Sequence, residues 1–219
     1  MIYFTSDIHL GQVRALEVLT NRKFQTLDEM NEKLIDEYNC TVPKDAFVII
    51  LGDLIMGKKY DNVPKFLPQL NGRKILIRGN HDLAFDDIRP GKQEAAEKLY
   101  LDNGILKLYD GCVSLEQVLI DNNEPIPYDV SFIKLSHFPF KGIPDHVKDR
   151  DYEIKYEHLC VNDDGESWLF HGHQHSLISM SRERMYDVGV DSHNYKPVSL
   201  DDIVSSIHEY RRNNEGTAL

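Results

Sequence analysis

The amino-acid sequence predicts an α/β fold. Short apolar runs such as Phe47 to Leu51 alternate with segments of helical periodicity such as Leu27, Met30, Leu34 and Tyr38, the pattern of strands covered by helices. Polar residues able to ligate metals stand directly after several of the apolar runs. The length of 219 residues, 25.4 kDa, suits one well-cored domain over residues 1–219 and is short for two.

In chain order, Ile2 to Thr5 reads as a buried strand. Thr26 and Glu29 have capping-box spacing, and the helix they open runs to about Asn39. Phe47 to Leu51 and Lys74 to Arg78 are the next buried strands, ending at Gly52 and Gly79. Lys92 to Leu101 is helical, with Asn103-Gly104 as its stop signal. Gly111 to Val130 suggests a hairpin or an insertion turning at Asp121-Asn122-Asn123. Ser131 to Leu135, Trp168 to Phe170 and Arg184 to Val190 read as further strands. Ser199 with Asp202 opens a last helix, which places Leu200, Ile203, Val204 and Ile207 on one face. Lys141 to Glu166 is long, polar and weakly periodic, and a loop of that length in a compact domain is often functional.

Composition narrows the function. The net charge of −11 disfavours long nucleic acid or an anionic membrane held along a basic face. Cys40, Cys112 and Cys160 are too few and too dispersed for a disulfide framework or a zinc ribbon, and read as free thiols in a reducing compartment. The first residues combine neither a basic region nor a long apolar run, and no stretch has the length of a membrane span, so a cytoplasmic protein is expected. The ten histidines are many for so short a chain, and histidine is both the commonest metal ligand and the usual acid–base group near neutral pH.

Six of those histidines fall into groups placed after strands, which read Asp7-Ile8-His9, Gly52-Asp53, Gly79-Asn80-His81-Asp82, Ser136-His137 and His171-Gly172-His173-Gln174-His175. Sites in open α/β sheets form at the carboxyl ends of strands, so strands sharing one direction would bring all five groups to one edge. Carboxylate, amide oxygen and imidazole without thiolate suit manganese, iron, zinc or nickel. The ligands are too many for one tetrahedral ion; two ions about 3.5–4 Å apart would use them all. Alternation on an extended segment would turn Asp7 and His9 to one side, and likewise His173 and His175. Glycines 52, 79 and 172 would let the backbone turn tightly beside them.

The order D-x-H, GD, GNHD, a lone His, then GHxH resembles the calcineurin-like metallophosphoesterases. The matching motifs run from Asp7 to His175, and the variants LIRGNHD, LSHFP and HGHxH, with VGVD…YKPVSLDDI behind them, look like small bacterial and phage members. The resemblance implies a two-sheet β-sandwich flanked by helices, the four-layer metallophosphatase fold, with a binuclear site. Asp7, His9 and His175 would hold one ion and Asn80, His137 and His173 the other, with Asp53 bridging. The ions would be two divalent cations, manganese first, with iron, nickel or zinc as alternatives. A metal-bound hydroxide would attack phosphorus. His81 would protonate the leaving group or stabilise charge on phosphorus, and Asp82 would orient His81. His171 takes a supporting role behind the ligands. Two carboxylates against two dications leave the site locally positive despite the acidic protein.

Weaker candidates complete the reading. Arg14 could contact substrate phosphate. Arg78 could do the same or pair with an acid at the strand edge. His146, His158, His193 and His208 read as surface or loop residues, with His193 closest to the expected site mouth. The expected activity is hydrolysis of a small phosphodiester or nucleotide-like substrate. Phosphomonoesterase or nuclease action on the same scaffold is the runner-up, and a non-catalytic metal-binding scaffold is the alternative of another class.

Overall fold

The structure, a computed structural model, describes residues 1–19, 21–83, 85, 91–142, 156–180 and 182–215. Runs of four or five residues build the centre: β1 (Ile2–Thr5) pairs in parallel with β2 (Phe47–Ile50), and β2 with β3 (Arg73–Ile77). Strand β4 (Ile105–Tyr109) continues the parallel set beyond β3. The second sheet holds β5 (Val113–Ser114), β6 (Ile133–Leu135), β7 (Trp168–His171) and β8 (Met185–Asp187), in that order. Strand β9 (Val198–Ser199) pairs antiparallel with β1 and completes a five-stranded first sheet, β4-β3-β2-β1-β9.

Residues one apart on a strand face opposite sides, and here both sides are apolar. Phe4, Ile49, Ile75 and Ile77 face the second sheet and meet Ile133, Leu135, Trp168 and Phe170. Phe4 and Phe170 touch edge to face, ring centroids 5.3 Å apart. Tyr3, Val48, Ile50 and Leu76 join the opposite cluster with Met30, Leu34, Tyr38, Val63, Phe66, Ala96 and Tyr100. Those last residues come from helices α2 (Leu27–Thr41), α3 (Lys59–Phe66) and α4 (Lys92–Asp102), which follow a short turn, α1 (Ala15–Val18). Helices α5 (Leu115–Asp121) and α6 (Leu200–Glu215) pack Leu119, Ile203 and Ile207 into the inter-sheet core. The result is a two-sheet sandwich flanked by helices.

Thr26 caps α2 as its spacing predicts, its side chain accepting the Glu29 N–H at 3.1 Å. Two expectations change. Gly111 to Val130 is a two-residue strand and a helix rather than a hairpin: the Ser114 side chain accepts the Gln117 N–H at 3.1 Å and opens α5, and Asn122 and Asn123 close it, Asn123 at φ +55°. The strand expected over Arg184 to Val190 ends at Asp187, because Val190–His193 coils into a 3₁₀ turn. Helix α3 goes unpredicted because Pro64 stands inside it, and proline normally counts against a helix interior. Within Lys141 to Glu166, residues 143–155 lie outside the described residues. Among the described residues no helix is long and apolar enough to cross a membrane.

The topology decides where the site forms. Strands β1, β2 and β3 run parallel, as do β6, β7 and β8, and a parallel bridge between Ser6 and Gly189 joins the end of β1 to the end of β8. The carboxyl ends of β1, β2, β3, β6 and β7 therefore converge.

Candidate metal centre

The loops at this edge are stitched to one another through the backbone. Asp7 N–H donates to Gly52 O at 3.1 Å, His9 N–H to Asp53 O at 3.0 Å, and Gly172 N–H to His137 O at 3.1 Å. A side chain at Gly172 would overlap Ser6 Oγ and Asp7 Oδ2; one at Gly52, where φ is +90°, would overlap His137 Nδ1. These glycines let the loops approach closely enough to share a site.

The segments carrying the proposed ligands are not extended. Asp7 and His9 both have φ +57°, Asp53 +52°, His173 +70° and His175 +46°. Side-chain alternation along an extended strand is thus the wrong reason for pairing Asp7 with His9, or His173 with His175. Left-handed residues on either side of a spacer aim them instead. A non-glycine held in a sparsely populated backbone region costs on the order of 1–3 kcal/mol, and such residues cluster at functional sites.

Two groups of ligand-type atoms result. In the first, His9 Nε2 and His175 Nε2 lie 3.2 Å apart, and Asp7 Oδ1 is 3.8 Å from one and 3.7 Å from the other. In the second, Asn80 Oδ1 lies 2.9 Å from His137 Nε2 and 3.1 Å from His173 Nδ1. Asp53 Oδ2 stands between them, 3.7 Å from His9 Nε2 and 3.6 Å from His137 Nε2. Asp7, Asp53 and His137 also offer ligand atoms within 4.8 Å of one another. All seven ligand candidates meet in one place.

The donor chemistry fits cations. His137 Nδ1 lies 2.8 Å from Leu51 O, and His175 Nδ1 lies 2.7 Å from Asp191 Oδ2. A carbonyl or an ionised carboxylate only accepts, so each Nδ1 carries a proton and each ring turns its Nε2 into the cluster. Asp7 gives Oδ2 to the His173 N–H at 2.9 Å, while its buried Oδ1 has no hydrogen-bond partner among the described residues. Imidazole nitrogens, carboxylate oxygens and an amide oxygen facing one another in a buried space suit a positive charge. Ligands about 2.1 Å from one ion stand roughly 3–3.5 Å apart, close to the spacings found.

The electrostatics agree. Burial, followed by the nearby Asp82 and Asp7 carboxylates, pushes Asp53 well above the usual carboxylate range. Burial acts on Asp7 in the same direction, but His9, His175 and His137 outweigh it and hold Asp7 well below that range. Burial lowers His9 to about 3, so this ring is neutral and available as a ligand near pH 7.

His81 lies at the edge of the cluster. Its N–H donates to Asp53 Oδ1 at 2.8 Å, and its ring centroid is 5.6 Å from that of His9. Burial first, then the Lys59 charge, lowers it to about 4. Asp82 does not orient it. The Asp82 carboxylate accepts the backbone N–H groups of Gly79 (2.8 Å), Asp53 (2.8 Å) and Leu54 (3.2 Å) and the Tyr100 hydroxyl (3.2 Å). Asp82 is a buried fastener between two loops, because backbone donors occupy the lone pairs that His81 would need.

The remaining candidates are placed as follows. His171 is buried at the end of β7, Nδ1 2.8 Å from Gly172 O, with no partner for Nε2 among the described residues. Arg78 donates Nε and Nη2 to Asp110 at 2.7 and 2.6 Å, the strand-edge pairing rather than the phosphate contact. Arg14 is exposed before α1 and outside the cluster. His193 stacks on Tyr186 and donates to Asp187 O at 2.9 Å. His158 and His208 are exposed, and His146 lies outside the described residues.

Sequence reasoning missed Asp191 and Arg22. Arg22 donates Nε and Nη2 to Asp191 at 2.7 and 2.9 Å. Nothing in spacing links residues 22 and 191, although Asp191 ends the quoted stretch VGVD.

Residues 1–177 match the family model described as calcineurin-like phosphoesterase. An uncharacterised protein of Methanocaldococcus jannaschii, MJ1445, is 27% identical over 216 residues, spanning 95% of this chain and 92% of its own. A crystal structure of a protein of unknown function from Aquifex aeolicus, AQ665, is similar in fold. It gives a TM-score of 0.60 at 21% identity over 94% of this chain and 99% of that one.

Proposed function

The chain belongs to the calcineurin-like phosphoesterases, and we propose that it hydrolyses the phosphoester bond of a small phosphodiester or nucleotide-like substrate at a site holding two divalent cations. One observation carries the reading: two sets of inward lone pairs with Asp53 Oδ2 between them, 3.7 Å from His9 Nε2 and 3.6 Å from His137 Nε2. Asp7, His9 and His175 would hold one ion, Asn80, His137 and His173 the other, and Asp53 both. Manganese is the first choice, with iron, nickel or zinc as alternatives, because the donors are imidazole and oxygen without thiolate.

When bound, such ions supply Lewis acidity toward water and toward the phosphoryl oxygens. The protein's own groups do the rest. His81, at the edge of the cluster, offers its ring N–H to the leaving oxygen, and an arriving phosphate anion favours the protonated ring. Its backbone N–H fixes Asp53 Oδ1, so one residue serves both the acid position and the bridging carboxylate. The substrate is small because a net charge of −11 opposes a long polyanion outside the reach of the ions.

The test is a parallel assay of p-nitrophenyl phosphate, its bis-ester and a panel of cyclic nucleotides with manganese, nickel, zinc or magnesium. The bis-ester or a cyclic nucleotide is expected to turn over fastest. Preference for the monoester would shift the substrate class, and no turnover with any metal would favour a non-catalytic scaffold.

A further inference from the structure

We infer that Arg22 and Asp191 form a positioning pair serving one of the two cation positions, that of Asp7, His9 and His175, and not the other. The inference rests on the binuclear reading above. Asp191 lies beyond residues 1–177 matched by the family model, so the match assigns it no role.

Asp191 acts on His175. Its Oδ2 takes the Nδ1 proton at 2.7 Å, which fixes the tautomer and points the Nε2 lone pair at His9 Nε2 and Asp7 Oδ1. A carboxylate behind a ligand histidine both orients the ring and raises its basicity. The Asp191 side chain is itself 3% exposed and held by the fully buried Arg22 guanidinium in a two-point contact. Such a fork leaves the carboxylate little freedom to rotate.

Arg22 acts on the opposite wall of the same position. Nη1 donates to Ile8 O at 3.0 Å and Nη2 to Asp7 O at 2.5 Å. These carbonyls belong to the turn whose left-handed residues, Asp7 and His9, aim two ligands inward. One guanidinium thus ties the first loop to the residue that sets His175. The second group is held differently: His137 takes its orientation from Leu51 O, and none of these Arg22 or Asp191 bonds reaches Asn80, His137 or His173. Removing the pair should therefore weaken one ion and spare the other.

The experiment is Mn(II) binding to the metal-free full chain by equilibrium dialysis, with ¹⁵N-imidazole NMR of His175. Wild type is expected to bind two ions and to show the Nδ1–H tautomer of His175. Asp191→Asn should weaken one ion by about 10–100-fold, leave the other within about twofold, and shift the tautomer, whereas Asp191→Glu should recover part of the loss. Equal weakening of both ions, no weakening of either, or an Nε2–H tautomer in the wild type would each overturn the inference while the binuclear reading stands. The wild-type NMR result holds whether or not a variant folds. Fewer than two ions on the wild type would overturn the binuclear reading, and this inference with it.

Discussion

Asp82 Oδ2 accepts the backbone N–H of Asp53 at 2.8 Å. The same oxygen takes the Gly79 N–H at 2.8 Å, and Oδ1 takes Leu54 N–H and the Tyr100 hydroxyl. One buried carboxylate thereby locks the loop after β2 to the loop after β3. Asp82→Ala would leave three buried backbone donors unsatisfied. Hydrogen bonds to a charged group contribute about 1.5–3 kcal/mol each, so urea unfolding of the metal-free protein should show a loss of about 3 kcal/mol or more. Tyr100→Phe removes one of these bonds and should cost about 1 kcal/mol. An unchanged midpoint for Asp82→Ala would rule out the fastening role.

Asp53 offers its carboxylate to both halves of the site. Asp53→Asn keeps the shape and removes the negative charge. It should lower cation affinity at both positions and reduce turnover by more than about a hundredfold. Dialysis against Mn(II) and an assay of the same sample check the two together. Wild-type turnover in Asp53→Asn would exclude the bridging role.

His81 is proposed to act on the leaving oxygen and contributes no ligand atom to either group. His81→Ala should retain both ions. Turnover of an alkyl phosphoester should drop by about 10²–10⁴-fold, the usual contribution of general acid catalysis, and a p-nitrophenyl ester should drop far less because its leaving group needs no proton. Equal activity of variant and wild type on the alkyl ester would refute the role.

His171 gives a pH signature. Burial lowers it from an ordinary value of 6.5 to about 4. Between those values the unfolded chain takes up a proton that the folded protein refuses. The stability associated with a neutral His171 is therefore complete above about pH 6.5 and is lost as pH falls toward 4. At about 1.36 kcal/mol per unit, wild type should lose on the order of 3 kcal/mol more than His171→Asn between pH 7 and pH 4. Denaturant unfolding of both metal-free proteins at the two pH values measures the difference; equal losses would mean that His171 is protonated in the folded state.

Much of the site can be read from sequence because its residue types stand at strand ends, and apolar runs such as Phe47 to Ile50 announce those ends. Parallel strands then do the gathering. What escapes has definite causes. Left-handed backbone at Asp7 and His9 leaves no mark when the residue is not glycine, so the sequence pairs them for the wrong geometric reason. The sequence offers Asp82 its chain neighbour His81, but the carboxylate's partners include Asp53, Leu54 and Tyr100, 18 to 29 positions away. Arg22 and Asp191 are 169 positions apart, and their pairing depends on the whole sandwich closing. Helix α5 is only seven residues long, too short for periodicity to separate it from a turn.

The most direct test of a two-cation phosphoesterase is stepwise metal return. The protein is stripped with a chelator, Mn(II) is added from zero to three equivalents per chain, and bis-p-nitrophenyl phosphate hydrolysis is followed at each step. A two-cation site gives little activity up to one equivalent, a rise that levels off at two, and loss of activity on renewed chelation. Full activity at one equivalent, or hydrolysis that survives chelation, would contradict it.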